Sequence, residues 1–161
     1  MRPLLLLLAT LPLVAPADWY TLEEQVDAIT LIEGRSQPLA ENLMRAHTIG
    51  FIYGPETYRG VARPNPERYQ LTRTVWHVDC ARAHVEIESR TTQERPLGPA
   101  RPVRSAAPAA LAAAVHAHAC DGPRGTPWRD PDQARLAKWQ ALMAATYPWI
   151  PAQTPMPAPA E

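Results

Sequence analysis

Two cysteines, Cys80 and Cys120, constrain this chain's fold more than any other feature of its 161 residues. Cys80 ends the stretch Tyr69-Gln-Leu-Thr-Arg-Thr-Val-Trp-His-Val-Asp-Cys80, which is dense in β-branched and aromatic residues. Read as a strand, it places Thr72, Thr74, Trp76, Val78 and Cys80 on one side and Leu71, Arg73, Val75, His77 and Asp79 on the other, because successive side chains alternate across the pleat. Trp76 and Val78 mark the even-numbered side as the buried one beside the cysteine. Cys120 ends a different stretch, Pro108-Ala-Ala-Leu-Ala-Ala-Ala-Val-His-Ala-His-Ala-Cys120. Alanine makes this stretch helical, and Gly122-Pro123 stops it. A bond between the two cysteines would bolt a helix to a strand.

Whether that bond forms depends on the compartment. Met1-Arg2 is followed by an apolar run from Leu4 that ends at Ala15-Pro16-Ala17, the pattern of a signal peptide cleaved before Asp18. The run is too short to span a membrane, and no cysteine near the cleavage point offers a lipid anchor. The mature product is therefore expected as a soluble exported protein, periplasmic or extracellular. In such an oxidising place Cys80 and Cys120 are expected to form a structural disulfide. Closing a loop of about 41 residues stabilises a fold by on the order of 4 kcal/mol, a large share of the roughly 5–15 kcal/mol a domain has.

Net charge is zero over the chain and slightly negative without Arg2, so neither nucleic acid nor an anionic lipid surface is expected as partner. The other elements are read from pattern. Thr21 to Glu24 fits a helix capping box, with Leu22, Val26 and Ile29 at helical spacing, but Val26, Ile29, Thr30 and Ile32 are β-branched and favour a strand over 26–33. Pro38 to Met44 reads as a helical turn, residues 46–53 as a second strand and residues 56–68 as an exposed connection. After Cys80 the apolar parity flips to Ala81, Ala83, Val85 and Ile87, which requires a bulge or tight bend near Cys80 to Arg82. Arg90 to Arg104 reads as a polar connection with a short pairing near Val103. Asp130 caps a last helix with Pro131 in its first turn, docking by Leu136, Trp139 and Met143 with Leu142 beside them. Pro148 ends it, and a Pro/Ala-rich tail follows.

Residues that could carry chemistry are few. His116 and His118 are the nearest thing to a metal pair, but residues two apart on a helix point to nearly opposite sides, so both are read as solvated. His77 and Asp79 share a strand side, and with Ser36, Ser89 or Ser105 they supply the residue types of a hydrolytic triad. No Gly-x-Ser-x-Gly elbow accompanies them, and Asp79 is read as a local hydrogen-bond acceptor. Tyr53, Tyr58 and Tyr69, interleaved with Arg59, Arg63 and Arg68, have the composition of a contact surface or of an ordinary exposed loop. Trp139 and Trp149 admit the same two readings, docking stripe or interaction surface.

Asp18-Trp19 after the signal, Leu31-Ile-Glu-Gly-Arg-Ser36, Val78-Asp79-Cys80 and Ala119-Cys120 together resemble the bacterial surface-adhesin protein E-like domain over about residues 18–121. The resemblance implies an antiparallel sheet with a helix near the C-terminal end tethered to its face. It also implies kinship with an outer-surface adhesin that binds host matrix proteins and haem. This chain departs from the family in lacking a lipid-anchor cysteine and in carrying a further helix and tail after Cys120, and no adhesin contact residue matches a position in it.

The fold class expected is α+β, a single antiparallel sheet with one helix tethered by a disulfide and an amphipathic C-terminal helix. The divisions are 1–17 signal peptide, 18–122 stapled domain, 123–150 appended helix and 151–161 tail. The function expected is that of a non-enzymatic binding or adhesion module for a protein or small ligand, with no catalytic residue, no metal and no cofactor. The alternatives are a haem- or metal-binding protein using His77, His84, His116 or His118, and a small hydrolase using His77 with Asp79.

Overall fold

The computed structural model describes residues 18–60 and 64–149. The expected signal peptide and its cleavage site, Arg63 and the tail lie outside the described residues. Within them the elements run β1 (Trp19–Glu24), β2 (Ala28–Glu33), β3 (Gln37–Ala40), β4 (Leu43–Ile52), α1 (Pro55–Tyr58), β5 (Tyr69–Asp79), β6 (His84–Arg95), β7 (Arg101–Pro102), α2 (Ala109–Asp121), β8 (Pro127–Trp128) and α3 (Pro131–Thr146).

The strands form one antiparallel sheet in the order β7-β6-β5-β4-β2-β1-β8, with β3 also pairing to β4. Its central strands are apolar on both sides, as a strand covered from above and below must be. In β2, Ile29 and Leu31 enter one core while Ile32 enters another. On the first side Ile29, Leu31, Phe51, Tyr53, Tyr69 and Leu71 meet Ala134 and Leu142 of α3. On the second, Ile32, Ala46, Trp76 and Val78 meet Val115 of α2, with Cys80 and Cys120 at the margin. The fold is α+β, with a helix on each face of the sheet.

The disulfide joins Cys80, just past the end of β5, to Cys120 in the last turn of α2, with the Cα atoms 5.6 Å apart. Trp76, 1 % exposed, lies in this core, its indole N–H donating to Thr48 Oγ1 at 2.9 Å. The parity reversal at Cys80 is a tight turn over 80–83 that sends β6 back along β5, with Ala83 at φ 51°. Trp76 and Val78 thus lie opposite Ile87 and Val85, all four toward α2. A bulge does occur, but farther along, where Val75 pairs with Ser89 and Trp76 with Ile87 so that Glu88 is the extra residue.

Several expectations are corrected. Pro38 to Met44 is not a helical turn: β3 and the start of β4 make a hairpin there, and Asn42 takes the positive φ of 62° that Asn tolerates. The strand expected over 26–33 is β2 alone, and residues 19–24 add β1, held between β2 and β8. The connection over 56–68 holds the end of the short α1, and β6 extends to Arg95 into the stretch read as a connection. Asp130 caps α3, its carboxylate accepting from the Asp132 N–H at 2.9 Å. The stripe is rotated from the one expected: Ala134, Arg135, Lys138 and Leu142 are buried, whereas Leu136 is 38 % exposed.

Candidate functional site

The four histidines weighed as haem or metal ligands are divided by the sheet. His77 and His84 lie on the side that α3 leaves open at the turn end of β5, whereas His116 and His118 belong to α2 on the opposite face. Arg45, paired across β4–β5 with His77, donates to both oxygens of the Glu88 carboxylate at 2.9 and 3.0 Å. His77 Nε2 is 3.0 Å from the same carboxylate but without the alignment of a hydrogen bond. His84 contacts Glu86 at 2.9 Å and His47 contacts Glu33 at 3.0 Å. Among the described residues no three of His, Cys, Asp and Glu are grouped to hold a metal ion.

Asp79 does not orient His77. Its Oδ1 accepts from the N–H groups of Ala81 and Arg82, both at 3.0 Å, and so shapes the turn. Ser36 Oγ is buried with no hydrogen-bond partner among the described residues, so it does not activate, and is not activated by, a histidine.

His118 is buried rather than solvated, at 3 % exposure, with its ring tilted against Tyr20 at 5.5 Å between centroids. Burial lowers its pKa below the usual imidazole value, with a partial offset from the Glu33 backbone. A helix packed this closely on the sheet has one side turned inward whatever its residues, and His118 shares that side with Val115.

The tyrosines are likewise core, not surface. Tyr53, Tyr58 and Tyr69 are all buried in the core under α3, and Arg135 of α3 contacts two of them, Tyr53 and Tyr69. Its guanidinium donates to Asp132, to the Pro66 carbonyl at 2.6 Å, to Glu67 and to the Tyr53 hydroxyl at 3.4 Å. Burial opposes a charge there, but the hydrogen bonds that Arg135 donates to Asp132 and Tyr53 outweigh it and hold Arg135 firmly protonated. Burial also pushes the Tyr53 phenol up to about 12, against the lowering influence of Arg135. Trp139 packs beside this core, while Trp149 is 73 % exposed and meets Tyr147 edge-on.

What the structure adds is a groove between β6 and α2. The sheet side of α2 docks through Leu111 and Val115, but its flank toward β6 carries Ala109, Ala112 and Ala113, whose methyl groups are too short to reach the strand. An open trough of about 670 Å³ results, floored by Val85 and Ile87 and walled by the segment from Val103 to Ala107. A smaller hollow of about 390 Å³, sharing Val85 and Ala112, prolongs it to His116. Arg90 and Arg104 line the far end, and neither guanidinium has a hydrogen-bond or ion-pair partner among the described residues. Sequence reasoning took the alanine run as helical. The shortness of its side chains, on the flank toward β6, leaves the space between helix and strand open.

No family model matches the chain, and neither the curated proteins nor the solved structures contain a match to it.

Proposed function

We propose that the chain is an exported, non-enzymatic binding module of the adhesion type, matured by cleavage near Ala17, that receives its partner in the groove between β6 and α2. The observation that carries this reading is the groove itself: an open trough, part apolar and part polar in its lining, within the volume range of ligand sites and with two unpaired arginines among the residues that line it. The disulfide supports export, because such bonds persist where thiols are not kept reduced. The adhesion character rests on the resemblance to the protein E-like domain. The test is binding of the purified chain to a panel of extracellular matrix proteins by surface plasmon resonance, beside Ala113→Trp, an exposed position at which a large ring would fill the hollow that prolongs the trough. Loss of binding in the variant supports the reading, and an unchanged response sinks it. N-terminal sequencing of the exported product checks the cleavage.

One observation favours a second reading, haem binding. His116 lines the hollow and its Nε2 is buried without a partner among the described residues. A Soret band on haem titration that His116→Ala abolishes would support it.

A further inference from the structure

Strand β6 runs from His84 to Arg95, but β7 covers it only at Thr91 and Thr92, with one further bond from the Val103 N–H to the Arg90 carbonyl at 2.9 Å. From His84 to Ser89 no strand among the described residues pairs with its outer side. A sheet edge is a row of unused backbone donors and acceptors, and an extended chain laid along it completes the pattern. This free edge opens on the trough, whose lining takes in both the edge residues Val85 to Ser89 and the helix. Main-chain bonding and side-chain burial are thus available to one ligand at the same time.

The bulge at Glu88 and the charges of Glu86 and Glu88 keep the free stretch short and irregular, which guards it against indiscriminate pairing. Glu88 is held by Arg45 and Glu86 contacts His84, so the charged side chains left without a partner along the rim are Arg90 and Arg104. A ligand with a negative group at that end is the complementary one. Direction follows from β7, which runs antiparallel to β6 and leaves the edge after Val103. A chain continuing its line presents its N-terminal end to Arg90.

We infer that the free edge of β6, His84–Ser89, takes an extended peptide as an added antiparallel strand, with small apolar side chains in the alanine trough and an acidic residue at its N-terminal end against Arg90 and Arg104. This rests on the groove being the binding site. It specifies the occupant as polypeptide backbone rather than any apolar anion.

Three synthetic probes separate the two levels. These are a short peptide of alternating alanine and valine with an N-terminal aspartate, the same peptide N-methylated at alternate amides, and a medium-chain fatty acid. Affinity is read by fluorescence anisotropy or its competition, and amide exchange of residues 84–89 is read by nuclear magnetic resonance on the full mature chain. The expected result is that the plain peptide binds and slows exchange along β6, that N-methylation abolishes binding, and that Arg90→Glu with Arg104→Glu weakens it by about tenfold or more. Binding of the N-methylated peptide as tightly as the plain one, or binding without protection of residues 84–89, overturns strand addition. Binding of the fatty acid alone, lost in Ala113→Trp, overturns it while leaving the groove as the site. A chain that sediments as a dimer dissociated by Glu86→Pro assigns the edge to a second copy, which also overturns it. Should no probe bind, and matrix-protein binding be indifferent to both Ala113→Trp and Ala109→Trp, the groove and the strand fall together.

Discussion

The guanidinium of Arg135 lies 4.6 Å above the ring of Tyr69, joining the second turn of α3 to the first residue of β5. It is the buried side chain that also reaches Tyr53, the Pro66 carbonyl and Glu67. Arg135→Ala should cost about 2–4 kcal/mol, from lost packing and unpaired acceptors. Arg135→Lys should recover less than half of that, because an ammonium cannot reproduce the planar fork and the stack at once. Urea unfolding followed by far-ultraviolet circular dichroism measures both, and a lysine variant as stable as the parent would show that only charge matters here.

The Cys80–Cys120 bond closes a loop with a sequence separation of 40. Cys120→Ser should lower stability by up to about 4 kcal/mol. Faster amide exchange in α2 than in α3 should accompany the loss, because the tether acts on the α2 face alone. Intact-mass measurement of the protein purified without reductant should find no free thiol.

Stability should fall with acid through His118. Its folded pKa is depressed by burial, so between the unfolded value of 6.5 and the lowered folded one the unfolded chain binds more protons. Its contribution is therefore complete above pH 6.5 and is lost as pH falls through the folded value. The difference in unfolding free energy between the parent and His118→Phe should shift in favour of the variant as pH is lowered from neutral towards 5. A difference that stays constant would contradict the assignment.

Gly125 sits at φ 96°, and a Cβ there would stand 2.0 Å from the Thr21 carbonyl oxygen. Gly125→Ala must break the N–H of Thr21 to the Thr126 carbonyl or push β8 off β1. A loss of about 2–3 kcal/mol is expected, from backbone strain together with the lost edge pairing. Thermal unfolding monitored on the tryptophans gives the value, and an alanine variant melting with the parent would rule out this close approach.

Truncation after Gly122 removes α3 and leaves Leu31, Phe51 and Leu71 uncovered on one face. The shortened chain, residues 18–122, should bind a hydrophobic dye and lose its cooperative transition. A soluble, cooperatively folding product would show that the segment 123–150 is truly an appendage.

How far the sequence spoke can be judged from particular residues. The run from Tyr69 to Asp79 was legible as a strand because its preference is local and dense, and the turn beyond it because the parity had to reverse. Asp130-Pro131 announced α3 by chemistry confined to one helical turn. Trp19 to Glu24 was ambiguous because what makes it β1 is pairing with Trp128 and Glu33, neither of which its own pattern encodes. The tyrosines were misread for the same reason: Tyr53 owes its burial to Arg135, 82 positions away. The groove left no signature of its own, since it is defined by the atoms that alanine lacks.

The order of the sheet carries one more consequence. From β6 back through β5, β4 and β2 to β1, the main strands lie beside their predecessors in sequence, so each new strand has its partner waiting when it arrives. A chain that emerges N-terminus first during synthesis can lay down this meander progressively, with mostly local closures. The two long helices, α2 and α3, come after these strands, one to each side. Until then both apolar surfaces stand open, so the interval between the arrival of β6 and that of α3 is when this protein most needs a chaperone.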